Sequence, residues 1–232
     1  MLIPEAFHAL VVGSSGAIGH AFSDCLGSDP RCLSLSRLAR SSEPEFDLTR
    51  SDVFNDLIKG MSLPGPLNLV VDASGTLSLP GARPEKALRE LNADRLRFVF
   101  EVNAIGPLLL MQSLAPYMLT KGPMLYIKLS ARVGSISDNR KGGWYGYRAS
   151  KAALNMMLQC AALEWQRTNP QAQVIALQPG TVRSALSKDF LQTLPDALTA
   201  EVSVNRFWQA LDHLEPRSGA QFVDYQGASI PW

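Results

Sequence analysis

The sequence is poor in the residues that build metal centres and disulfide frameworks. It carries three cysteines, Cys25, Cys32 and Cys160, and three histidines, His8, His20 and His213, in 232 residues. Neither set has metal-ligand spacing, and the cysteine count is odd. No metal is therefore expected, and the thiols read as reduced groups in a cytoplasmic, reducing compartment. Charge of one sign is also lacking. The formal net charge is +1, which leaves no basic excess to hold nucleic acid. No run of about 18 apolar residues stands out, so no membrane span is expected. The stretch 1–12 lacks the basic start and small-residue cleavage site of a secretory leader. Repeats and low-complexity linkers are missing as well, which predicts a single domain over 1–232. Hydrophobic residues make up 46% and charged residues 19%, an ordinary globular balance with ample material for a core.

What is present is alternation. Short apolar runs at His8–Val12, Arg31–Ser36, Leu67–Ala73, Met124–Ser130, Val174–Gln178 and Gln221–Val223 read as strands. Between them lie helical patterns. The first is Gly16–Leu26, followed by a helix capped at Thr49 or Ser51 and ending before Gly60. Asp94–Leu119 comes next, bent or divided by Pro107 and Pro116, then Tyr145–Thr168 and Thr199–Leu214. Strand–helix alternation from end to end predicts an α/β fold: a single Rossmann-like, doubly wound parallel sheet with helices on both faces. Such sheets bind ligands beyond the carboxyl ends of their strands.

After the first strand comes Gly13-Ser14-Ser15-Gly16-Ala17-Ile18-Gly19, opening a helix. Glycines permit a tight turn and close approach to a pyrophosphate, and the helix N-terminus offers free N–H groups to it. The bland alternative is a plain strand-to-helix turn. A fold of this kind that prefers NAD carries an acid at the end of the second strand. Here that place reads Ser34-Leu35-Ser36-Arg37. The absent acid and the arginine both favour a 2′-phosphate, hence NADP, with Arg40 a weaker second candidate.

Tyr147 and Lys151 stand four residues apart at the start of the clearest helix, on the stripe continued by Leu154, Leu158, Ala161 and Trp165. A phenol has a pKa near 10, and an adjacent ammonium favours the phenolate. Such a tyrosine can give a proton to a carbonyl oxygen or take one from an alcohol.

Together these motifs resemble the short-chain dehydrogenase/reductase family, within it the small branch that includes C-factor and the carbonyl reductase Sniffer. The resemblance runs the whole length. It takes in Asp47-Leu48, Asp72-Ala73-Ser74-Gly75, Asn103 in Glu101–Pro107, the stretch from Arg132 to Lys151, Pro179–Ser184, and the tail from Phe222 to Trp232. It implies that Tyr147 is the acid/base and that Lys151 holds the nicotinamide ribose and tunes Tyr147. Asn103 would position a proton-relaying water. Gly13, Ser15, Gly16, Ile18, Gly19, Arg37, Asp47, Leu48, Ala73, Ser74, Gly75, Pro179, Gly180, Val182 and Ser184 would contact the nucleotide alongside Tyr147 and Lys151.

Four departures from the family pattern stand out. Ala17 takes a glycine's place, with Gly16 one position early. Val12 replaces threonine. Asp72 and Ala73 replace two asparagines. Most seriously, Ala131 holds the catalytic serine position, leaving its neighbour Ser130 as the only candidate hydroxyl. Ser130 can serve only if a bulge or an early strand end re-aims it. Lys128 lies in a central strand where the family often has asparagine, and an unpaired lysine there is costly. Asp72 and Lys128 are therefore expected to pair across adjacent strands. Trp144, Leu186 and Phe190 are candidates for an apolar wall.

Two readings remain open. One is an NADP(H)-dependent reductase of a small ketone, aldehyde or quinone-like carbonyl, slowed by Ala131. The other is a nucleotide-binding signalling or redox-sensing protein with little catalysis. Homo-oligomers are common in the family the chain resembles.

Overall fold

A computed structural model describes residues 2–41, 45–187 and 196–232. Six strands form one sheet: β1 (Phe7–Val12), β2 (Cys32–Leu38), β3 (Leu69–Asp72), β4 (Met124–Leu129), β5 (Ala172–Gln178) and β6 (Ala220–Asp224). The spatial order is β2-β1-β3-β4-β5-β6 and every pairing is parallel. The chain runs from β1 outward to β2 and then returns past β1 to β3. The reversal of direction lies between β1 and β3, and that opens a crevice at their carboxyl ends.

The inner strands β1, β3, β4 and β5 are buried on both faces, as a covered parallel sheet requires, while β2 is a half-exposed edge. Side chains alternate along each strand, which sorts the core into two layers. Leu10, Val12, Val70, Tyr126, Val174 and Ala176 face α2 (Phe54–Gly60), α4 (Gly106–Leu114) and α5 (Tyr145–Thr168). Phe7, Ala9, Val11, Leu69, Ile127, Ile175 and Leu177 face α1 (Ala17–Gly27) and α6 (Ala200–Ala210). The remaining helix, α3 (Ala93–Phe100), packs on α5.

Several element boundaries differ from expectation. β2 runs on to Leu38, whose carbonyl accepts from Gly13 N at 2.7 Å. Arg37 therefore lies within the strand, opposite Val11, rather than in the loop after it. Neither Thr49 nor Ser51 caps α2; the Asp47 carboxylate instead accepts from Thr49 N and Oγ1 at 2.8 and 2.9 Å. Thr199 does cap α6, accepting from Val202 N.

The long third helical stretch is divided as its prolines require. A π-helical turn at Glu101–Ile105 separates α3 from α4, and Gly106 N bonds to Glu101 O. Pro107 has no N–H for the Asn103 carbonyl four residues earlier, so the regular ladder cannot continue through this point. The stretch Ala93–Tyr117 is long and apolar enough on average to cross a membrane by length and composition, although Asp94, Arg95, Arg97 and Glu101 interrupt it. Half of its apolar window is buried inside the fold.

Candidate active site

The glycine turn after β1 is shaped by close approach. Gly13 adopts φ +76°, and a Cβ at Gly19 would stand 2.2 Å from the Gly13 carbonyl oxygen. A side chain at either place would break the turn or prise α1 from it. Gly16 caps α1 without any side-chain bond, and the first turn of α1 contains no acid. The helix N-terminus therefore faces the crevice with its positive end free. Ser15 is exposed on the turn.

Opposite that turn, β3 ends in Asp72 and runs on to Ala73, Ser74 and Gly75. Gly16, Ile18, Gly19, Ala73, Ser74, Gly75, Ser130, Tyr147, Lys151, Pro179 and Ser184 line one cleft. A second, more apolar cleft shares Ile18, Ser130, Tyr147, Pro179, Ser184 and Leu186 with the first. It adds Ala131, Trp144, Gln178, Gly180 and Val182. The half-buried Tyr147 thus stands where the two clefts join. Trp144 and Leu186 take the wall positions expected of them. Phe190 lies outside the described residues.

Tyr147 and Lys151 leave the first turns of α5 on one face. Lys151 is buried, its Nζ 5.9 Å from the centre of the Tyr147 ring and 3.0 Å from the Leu129 carbonyl it donates to. Burial pushes the Tyr147 phenol up to about 12. It pulls the Lys151 ammonium down to about 7, helped by Lys128 and opposed by Asp72. This corrects the expectation that Lys151 lowers the phenol. Desolvation disfavours the charged form of both groups, and in this state Lys151 is turned to Leu129 rather than to the phenol oxygen.

The Lys151 shift carries a stability consequence. The unfolded lysine holds its proton up to its ordinary pKa of 10.5, while the folded one releases it near 7. Between these values the unfolded chain binds more protons, so stability rises with pH. Lys151→Met should flatten that rise, which denaturant melts of the nucleotide-free protein from pH 6.5 to 10 would read. An unchanged slope would count against the shift.

Asn103, fully buried in the π-helical turn, holds the loop after β3. Its amide donates to Thr76 O at 2.8 Å and to Ser150 Oγ at 3.1 Å, and its oxygen accepts from Thr76 N at 2.8 Å. A Cβ at Gly75 would sit 3.2 Å from that oxygen and 3.4 Å from Lys151 Nζ. Asn103 is therefore next to the lysine, with its amide spent on Thr76 of the loop and Ser150 of α5.

Ser130 stays in register: its N–H bonds to Leu177 O at 2.8 Å, and Ala131 remains extended at φ −158°, ψ 142°. No bulge re-aims it, and although β4 ends at Leu129 the backbone stays extended through Ala131. Its hydroxyl donates to Asn155 Oδ1 at 2.6 Å, so its one proton is committed to α5.

Below the clefts, Asp72 and Lys128 face each other across β3 and β4. Their Nζ–Oδ1 distance is 2.8 Å and both side chains are wholly buried. Lys128 Nζ also donates to Ser74 O and Oγ at 2.8 and 2.9 Å, so its three donors have three acceptors. Asp72 Oδ1 accepts from Ser74 N at 3.0 Å and from Ser74 Oγ. The expected pair exists, and it also fixes the bend that presents Ser74 and Gly75.

The remaining expected nucleotide contacts lie further out. Arg37 is exposed and makes no ion pair among the described residues. Its Nη2 would lie 3.9 Å from a Cβ at Gly27, toward the far end of α1. Arg40 is exposed just past β2. Asp47 lines a separate cleft with Arg50 and Leu57, and Leu48 is core, its carbonyl against Gly106. Val182 is buried beside Leu198, and its carbonyl accepts from Ser187 Oγ at 2.6 Å. Ser184 N donates to the same hydroxyl. Gly180 turns at φ +80° against Tyr225.

Glu85 was missed. It is buried in the long loop before α3, accepts from Trp144 N through its carbonyl at 2.5 Å, and accepts from Gly146 N through its carboxylate at 3.2 Å. It thereby fixes the start of α5, where Tyr147 sits. Nothing in its local sequence marks it.

A doubly wound parallel sheet, a bare helix N-terminus at its reversal point and a tyrosine–lysine pair on the neighbouring wall define a nucleotide-binding fold with acid/base groups in place. Residues 7–195 match the short chain dehydrogenase family, and the chain belongs to that family. A 1-hydroxy-2-glutathionyl-2-methyl-3-butene dehydrogenase from Rhodococcus sp. (strain AD45) is 30% identical over 96% of this chain and 98% of its own. The C-signal protein of Myxococcus xanthus is 31% identical over 72% of this chain and 94% of its own. Among solved structures, an NADPH-bound carbonyl reductase from chicken fatty liver superposes with a TM-score of 0.80. It covers 99% of this chain and 96% of that one at 22% identity, a likeness of fold.

Proposed function

We propose that this protein is a single-domain NADP(H)-dependent reductase of small carbonyl compounds, working in a reducing compartment where its cysteines stay free. The observation that carries the reading is Tyr147 at the junction of a glycine-turn cleft and an apolar cleft, with Lys151 buried beside it.

The residues fit the nucleotide. The bare N-terminus of α1, the absence of an acid in Ser34–Arg37 and the tight Gly13–Gly19 packing form a phosphate cradle with no repelling charge. Gly13, Ser15, Gly16, Ile18 and Gly19 would hold the pyrophosphate, and Asp47 and Leu48 the adenine end. Ala73, Ser74, Gly75, Pro179, Gly180, Val182 and Ser184 would frame the nicotinamide end, where Lys151 holds the ribose. Bound there, the nucleotide would supply hydride chemistry at the carbonyl carbon. Tyr147 gives its proton to the carbonyl oxygen, a task suited to a phenol that stays protonated at neutral pH. Trp144 and Leu186 exclude water and favour an apolar substrate body. A solution assay tests the reading: NADPH oxidation against aldehydes, ketones and quinones, with NADH for comparison. Turnover that requires a carbonyl supports it. Tight NADPH binding with no turnover would instead favour a sensing or signalling role.

Arg37 is the proposed reader of the 2′-phosphate, a role for which its exposed side chain swings from beside Gly27 to the carboxyl edge of the sheet. A charge-assisted hydrogen bond is worth about 1.5–3 kcal/mol, so Arg37→Ala should weaken NADPH by roughly 10- to 100-fold and leave NADH nearly unchanged. Titration calorimetry with both nucleotides checks this, and equal losses would reject the assignment.

A further inference from the structure

We propose that Gln178 is a catalytic residue whose side-chain amide donates to the substrate carbonyl oxygen in place of the hydroxyl that Ala131 lacks. The proposal rests on the carbonyl-reductase reading and deepens it.

Gln178 ends β5 at the carboxyl edge of the sheet. It is one step beyond the Leu129–Leu177 pair, and so level with Ser130 and beside Ala131. Its Oε1 accepts from Arg132 N at 3.0 Å. A backbone N–H can only donate, so this bond settles which end of the amide faces Arg132. The NH₂ group points the other way, and among the described residues Nε2 has no hydrogen-bond partner. Gln178 is half-buried and lines the apolar cleft together with Ala131, Tyr147 and Leu186. A donor held rigidly by its own oxygen and left unpaired in such a cleft is primed for a ligand acceptor.

The alternative donor from the same strand edge is spent, because the Ser130 proton goes to Asn155. The carbonyl oxygen would then sit between the Tyr147 hydroxyl and the Gln178 amide. As hydride reaches carbon and the π electrons move onto oxygen, Tyr147 transfers its proton there. Gln178 keeps both of its protons and holds the developing charge.

Three variants and two readouts test this. Gln178→Met removes donor and acceptor at nearly constant length. Gln178→Glu keeps an oxygen for Arg132 N and removes the donor. Both should lower kcat by about 10²–10³-fold, as removal of one oxyanion donor does, with NADPH affinity within about twofold of wild type. Ala131→Ser should recover at least about tenfold of the Gln178→Met loss. The second readout needs no turnover. Benzamide, a carbonyl that is not reduced, should bind the NADPH-loaded wild type roughly tenfold more tightly than either Gln178 variant.

Wild-type turnover or benzamide affinity preserved in Gln178→Glu would overturn the proposal and leave the reductase reading standing. Loss of NADPH affinity in parallel with kcat would overturn it in favour of a structural role. If no carbonyl is reduced by the wild type, the reductase reading falls alone, and equal or absent benzamide binding in wild type and variants would then sink the Gln178 assignment as well.

Discussion

Tyr147→Phe should bind NADPH as the wild type does and reduce carbonyl substrates at least ~10²–10⁴-fold more slowly, the range expected for loss of a general acid. The substitution keeps the ring, and with it the edge contact to Trp144 at 6.1 Å and the packing over Lys151. Only the hydroxyl leaves. The phenol is pushed up to about 12 by burial, so at neutral pH it holds its proton and can deliver it only to an oxygen whose own basicity rises as hydride arrives. Single-turnover kinetics with saturating NADPH isolate this step from binding. Turnover equal to the wild type would remove Tyr147 from the chemistry, and lost nucleotide affinity would make it a binding residue instead.

The second large effect is on stability. Asp72→Asn and Lys128→Asn should each cost about 3–5 kcal/mol, because each leaves a charged group in the sheet without its counter-charge. The double change should recover part of the loss, since two neutral amides can meet across β3 and β4. Lys128 has all three donors satisfied by Asp72 and Ser74, so removing it also releases the turn that presents Ser74 and Gly75. The Lys128 charge also helps to depress Lys151. Lys128→Asn should accordingly raise the Lys151 pKa as well as soften the fold. A denaturant double-mutant cycle measures the coupling, and strictly additive losses would contradict it.

Much of this was legible in the chain. The order of strands and helices follows from alternating short apolar runs and long amphipathic ones, and the glycine turn falls where that order places it. The Tyr147–Lys151 spacing fixes a shared helix face without any knowledge of the neighbours. Even the Asp72–Lys128 pair was inferable, because a lysine in a central strand demands a partner and only one acid lay in the adjacent strand. The features that escaped depend on approach across long sequence distances. Glu85 reaches the start of α5 from a loop 61 residues away. Ser130 is drawn to Asn155, 25 residues on. Gln178 marked only the end of a strand until its oxygen was found on Arg132. The direction of the Tyr147 shift also escaped. Sequence shows the neighbouring lysine but neither the desolvation of the phenol nor the turn of Lys151 toward Leu129.

The most direct test of the account is the fate of the hydride. Wild-type protein given NADPH carrying deuterium on the transferring face of nicotinamide C4, with an aromatic aldehyde or ketone, should yield an alcohol with deuterium at the carbinol carbon. NADP should form in equal amount, and Tyr147→Phe should make little of either. Saturable NADPH binding with no deuterium in any alcohol, across aldehydes and ketones alike, would contradict the assignment of this site as a carbonyl reductase.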